Sequence, residues 1–144
     1  MSFANRVLIP LLCIGLAVGA AACAKKAAET PSTTPAQLSV TGLDLGRSVG
    51  GDKRVTEKVS DFRPHDVIYA SVLTSGASPN AVLRARWTFG DGQLVSESEQ
   101  TIAPSGDAAT EFHVSKPDGW PVGKYKVEVF LNGTPAQSKD FEVK

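Results

Sequence analysis

Val82-Leu83-Arg84-Ala85-Arg86-Trp87-Thr88-Phe89 is the stretch from which the fold is read. Side chains of an extended strand alternate between the two faces of a sheet, so Leu83, Ala85, Trp87 and Phe89 share one face, and Arg84, Arg86 and Thr88 share the other. One face suits a core and the other suits water. The stretch is therefore expected to be a half-buried strand with Trp87 in the core. Further along, Lys124-Tyr125-Lys126-Val127-Glu128-Val129-Phe130-Leu131 repeats the pattern, with Tyr125, Val127, Val129 and Leu131 inward and Lys124, Lys126 and Glu128 outward. Phe130 is the exception, an aromatic ring on the wet face.

Other short alternating runs surround these two: residues 38–45, 54–59, 67–73, 94–102, 110–114 and 138–143, separated by glycine, proline, asparagine and aspartate. Residues 54–59 are the weakest of them. No segment of useful length has a helical period, so residues 38–144 read as all-β. Seven to eight antiparallel strands at this spacing predict an immunoglobulin-like β-sandwich in which the strand of Trp87 neighbours the strand of Tyr125. Tyr125, just after Gly123, stands where such sandwiches tie down a corner with a tyrosine. Asn132-Gly133 should join the last two strands as a hairpin. A two-residue loop would pair Tyr125 with Asp140 and turn Phe141 and Val143 away from the core. A three-residue connection is therefore expected, with Gly133 left-handed after a type I turn.

Trp87-Thr88-Phe89-Gly90-Asp91-Gly92 resembles the signature of polycystic-kidney-disease-type domains, extracellular sandwich modules in which this stretch is the third strand and its turn. Gly123-Lys124-Tyr125-Lys126-Val127 resembles their glycine-x-tyrosine-x-valine strand. The histidine-x-tyrosine that precedes it in that family is absent, and Asp118-Gly119-Trp120-Pro121 stands there instead. The resemblance implies a non-catalytic spacer, adhesion or binding role and carries no functional residues with it. Asp91 and Gly92 are expected in a hairpin turn; a calcium site would need several more oxygen ligands than this stretch supplies.

The N-terminal part reads as an export signal. Arg6 precedes an apolar run from Val7 to Ala22 that is shorter than the roughly 20 residues a membrane-spanning helix needs. Ala20-Ala21-Ala22-Cys23 resembles the lipobox of bacterial lipoproteins, in which the cysteine receives a diacylglyceryl group and, after cleavage, an acyl chain on its new amino group. The resemblance implies a signal over residues 1–22, a lipid anchor at Cys23 and a membrane as the first partner. Ordinary cleavage after the Ala-x-Ala site, giving a soluble periplasmic protein, is the alternative. Ala24 in place of an aspartate implies the outer membrane. Residues 23–37, with Lys25, Lys26 and a Thr30-Pro31-Ser32-Thr33-Thr34-Pro35 run, cannot build a packed face and read as a flexible tether.

Composition excludes some functions. The chain has 15 basic and 15 acidic residues, so no global field draws it to nucleic acid. Cys13 and Cys23 both precede the domain, which must then hold together by its core. His65, beside Pro64, and His113, beside Phe112, read as surface histidines, and Glu97 with Glu99 as a solvated edge pair. No nucleophile, zinc or cofactor pattern stands out, and no enzyme activity is expected. Arg84, Arg86, Lys124, Lys126 and Phe130 should gather on one outward face as a dock for a protein of the cell envelope. Trp120 is expected either to cap the core or to stack on a glycan, which would make the chain a carbohydrate- or peptidoglycan-binding module. The expectation is an envelope-anchored, non-catalytic binding or structural module.

Overall fold

Seven of the alternating runs, joined by one two-residue strand outside them, form eight strands in a computed structural model that describes residues 36–144. They are β1 (Ser39–Gly46), β2 (Asp61–Phe62), β3 (Ile68–Ser75), β4 (Ala81–Phe89), β5 (Gln93–Ile102), β6 (Ala108–Val114), β7 (Gly123–Leu131) and β8 (Thr134–Val143). The signal, Cys23 and nearly all of the tether lie outside the described residues. One sheet has the order β1-β3-β6 and the other β2-β8-β7-β4-β5. Each sheet turns its apolar face to the other. Leu45, Ile68 and Val72 from the first sheet meet Leu83, Trp87, Val127, Val129 and Val143 from the second.

Trp87 is only 1% exposed and sits edge-on to Phe141 at 5.9 Å between ring centroids. Phe141 also stacks on Tyr125 at 5.2 Å and meets Phe62 edge-on at 5.5 Å. Burying one such ring stabilises the fold by about 1.5–3 kcal/mol. The Trp87 indole N–H has no acceptor, so the side chain acts through its volume. At the corner Tyr125 Oη donates to the Pro121 carbonyl at 2.7 Å, the tie expected for a tyrosine there.

Three local expectations are corrected. Residues 54–59 form no strand: the chain turns tightly from Gly50 to Arg54, with Lys53 at φ 62°, and makes only isolated bridges from Val49 to Val55 and from Gly46 to Lys58. Its two valines are too few to bury a face, and the segment carries the chain across from β1 to β2. Second, the short β2 pairs parallel to β8 rather than antiparallel.

Third, the β7–β8 connection has two residues, with Leu131 opposite Thr134 and Asn132 and Gly133 at φ 50° and 83°. Two positive φ values make the primed turn whose twist suits a hairpin. Asn132 is fixed there because its N–H donates to the Val82 carbonyl at 2.8 Å while its side-chain oxygen accepts from Val82 N at 2.9 Å. Parity is restored inside β8: Val129 faces Gln137 and Phe130 faces Pro135, which leaves Ala136 as a bulge. Tyr125 then pairs with Phe141, and both rings enter the core.

The strands give the sandwich two poles. At one, Ala77 N donates to the Ala36 carbonyl at 3.0 Å, beside the β3–β4 link and the β7–β8 turn. The β4–β5 turn, the β6–β7 loop and the end of β8 lie at the other.

Candidate docking face

The outer face of the five-stranded sheet carries the predicted cations, and strand register decides how they are arranged. Arg84 lies between Glu99 of β5 and Phe130 of β7, and Arg86 lies between Glu97 and Glu128. Lys126 lies between Thr88 and Asp140, while Lys124, beyond the end of β4, faces Glu142. All four cations share the face, as β-strand alternation requires, yet each has a carboxylate across a ladder. The surface is a charge mosaic rather than a basic patch.

Two contacts give it structure. The Arg84 guanidinium sits over the Phe130 ring, 4.4 Å from its centroid. Such a contact stabilises by about 0.5–1 kcal/mol at exposed sites and by more once water is excluded. Phe130 is thereby half-buried instead of standing free. The Nε atoms of Arg84 and Arg86 are sealed from solvent without a hydrogen-bond partner, and both residues are half-buried, as when an arginine stem lies along the sheet. Among the described residues none of Arg84, Arg86, Lys124 or Lys126 forms an ion pair within 4.0 Å. Their charges are held near acids but not locked to them.

Trp120 belongs to the other expectation, and here the structure removes one of its two roles. The residue is 5% exposed, its indole N–H donates to the Asp66 carbonyl at 3.0 Å, and its ring meets Tyr125 edge-on at 5.8 Å. It caps the core. At this exposure it offers too little ring for a sugar to stack on.

Asp66 holds this corner together. Desolvation, the largest single influence, favours its neutral form, but the Arg63 N–H and the Arg47 guanidinium, each at 2.8 Å, together hold its carboxyl below the ordinary value of 3.8. His65 is exposed in a turn. His113 is exposed on β6, with Nδ1 2.7 Å from Glu111 Oε1. Asp91 is exposed in the turn between Gly90 and Gly92, whose φ values are 56° and 114°. Glu97 and Glu99 point outward from the edge strand β5.

Sequence reading missed an apolar rim at the pole of Trp120. Leu94 and Val122 are 53% and 68% exposed, and Leu94 lines a cleft of about 270 Å³ together with Lys116, Trp120, Pro121 and Tyr125. Leu94-Val95 was the available signal: two adjacent apolar residues break the two-residue period and mark a bulge. Val95 is that bulge, left over between the pairs Trp87 with Ser96 and Thr88 with Leu94.

The architecture recurs in solved structures. An immunoglobulin-like protein from Pseudomonas aeruginosa superposes with a TM-score of 0.53 at 14% identity, over 76% of this chain and 98% of that one. The fold is immunoglobulin-like. The C-terminal domain of Wzt matches with a TM-score of 0.50 at 10% identity, over 74% of this chain and 73% of that one. A β-glucosidase from Erythrobacter marinus matches at 0.51 and 9% identity, over 74% of this chain but only 15% of the enzyme. At these identities the likeness concerns the sandwich alone. No protein-family model matches the sequence, and no curated protein matches it.

Proposed function

We propose that this chain is a lipid-anchored, non-catalytic accessory module of the bacterial cell envelope that docks a protein partner through the outer face of β4 and β7. The observation that carries this reading is Arg84 stacked on Phe130 within a face whose cations and carboxylates alternate without ion pairing. A half-buried arginine on an aromatic ring is the kind of anchor that dominates protein interfaces. Alternating charges reward a surface with the complementary alternation and repel one of uniform sign. A protein surface therefore suits this face better than a polyanionic glycan. The glycan reading has also lost the aromatic ring that would have served it. The anchor rests on Cys23 and the small residues before it, as in a lipobox, and the absence of catalytic patterns supports a binding role.

A photo-crosslinking side chain at Arg84 or Lys126 in intact envelopes, followed by mass spectrometry, tests the docking face. Capture of one discrete envelope protein, lost in the Arg84→Glu, Lys126→Glu double variant, is the expected result. Capture of lipid or wall fragments only, or no adduct at all, would overturn it. Anchoring is tested separately by metabolic labelling with palmitate: label is expected on the chain and absent from the Cys23→Ser variant. An unlabelled chain in the soluble periplasmic fraction would favour ordinary cleavage.

A further inference from the structure

β5 covers the whole length of β4 and leaves its own outer edge uncovered. It runs for ten residues, none of them buried, and among the described residues its only ladder is the one to β4. Apart from Ile102 at its end, which packs against the core, the residues facing the sandwich on this strand are polar: Ser98 is exposed and Gln100 leans across to donate to the Glu111 carbonyl of β6 at 2.6 Å. That contact occupies part of the β6 edge and leaves the β5 edge open. An edge strand directs half of its backbone N–H and C=O groups away from its neighbour, where a further strand can pair with them.

Charge decides which further strand. The outer face forms columns, with Glu97 and Glu99 on β5 beside Arg86 and Arg84 on β4. Continuing that alternation outward calls for cations in the next column. The β5 strand of a second copy cannot supply them, because it carries no lysine or arginine. In antiparallel self-pairing centred on Glu97, Ser98 or Glu99, glutamate is always set opposite glutamate, which is destabilising. A free edge guarded in this way resists its own kind and stays available to a strand of the opposite sign.

The geometry points to the β5 edge as a strand-addition site for an extended segment of a partner protein with lysine or arginine at alternate positions. Main-chain hydrogen bonds would give affinity, and the Glu97 and Glu99 side chains would set register and specificity. The edge shares Glu97 and Glu99 with the charge mosaic of the β4–β7 face, but its readout, protection of the outward β5 amides, is one that docking on that face does not produce.

The test uses the full chain and short blocked peptides. One alternates lysine with valine, a second alternates glutamate with valine, and a third is the lysine peptide N-methylated on alternate residues so that it cannot complete a ladder. Amide exchange is followed residue by residue. The lysine peptide is expected to slow exchange at alternate β5 amides, those facing away from β4, by on the order of tenfold or more at saturation, the equivalent of about 1.4 kcal/mol. The glutamate and N-methylated peptides are expected to leave them unchanged. The Glu97→Lys, Glu99→Lys variant alters only exposed side chains and should reverse the preference between the first two peptides. Equal binding of the N-methylated peptide would reduce the effect to charge attraction and overturn the proposal. So would unchanged β5 exchange with the lysine peptide, or protection that appears without peptide as the chain dimerises.

Discussion

Tyr125 and Asp66 each fix one corner of the sandwich near Trp120, and their protons report on it in opposite directions. Burial raises the Tyr125 phenol above its ordinary 10.0, so the folded chain holds that proton more tightly than the unfolded chain does. Its contribution is complete below the unfolded value and is lost as pH rises through the folded one. Asp66, held below 3.8, contributes above its unfolded value, and that contribution is lost as pH falls through the folded one. Tyr125→Phe should lower stability by about 1 kcal/mol, the net worth of the hydrogen bond to Pro121, and flatten the alkaline limb of a urea-midpoint profile. Asp66→Asn should lower stability at neutral pH and flatten the acid limb. The tyrosine was legible in sequence because Gly123 and the following alternation locate a strand start. Asp66 was not, since its charged partner Arg47 follows β1 and reaches it only after β1 and β2 have entered different sheets; the Arg63 N–H is a local turn contact.

At the scale of elements, two single-residue bulges in the five-stranded sheet decide what side-chain parity alone leaves open there. Ala136 brings Phe141 and Val143 back to the core, and Val95 interrupts the β4–β5 ladder. Deleting Ala136 should slip the end of β8 by one residue, turn both side chains to solvent and abolish cooperative unfolding in a thermal scan, because a one-residue slip exchanges the two faces of a strand. Parity along residues 124–143 required one extra residue, and the sequence reading placed it in the Asn132-Gly133 loop. The hydrogen bonds between Asn132 and Val82 hold that turn to two residues, a tertiary contact that local propensity cannot reveal. The docking face shows the same limit. That Arg84, Arg86, Lys124 and Lys126 share a face follows from alternation. That acids stand opposite each of them follows from register, which the bulges help to set.

The molecule as a whole depends on one core. Both cysteines precede the described residues, so no disulfide supports the sandwich. Trp87→Ala should therefore destabilise by about 3–5 kcal/mol, much of what a domain of this size possesses, and its urea midpoint should fall accordingly. The class was legible because seven short runs that do become strands leave few architectures for a single core, whereas the two-residue β2 is too short to show as an alternating run. The open β5 edge was not, because nothing in a run of alternating residues says whether one neighbour or two will pair with it. The two poles have a mechanical side. The described chain enters beside Ala77, and β1 then runs antiparallel along β3 to Gly46 at the opposite pole. Tension between that entry and a contact at the far pole would act parallel to the strands, loading the β1–β3 hydrogen bonds together in shear. Tension between the entry and a contact at the same pole would peel them one after another. The sandwich should be stiff along its long axis and compliant when pulled back on itself.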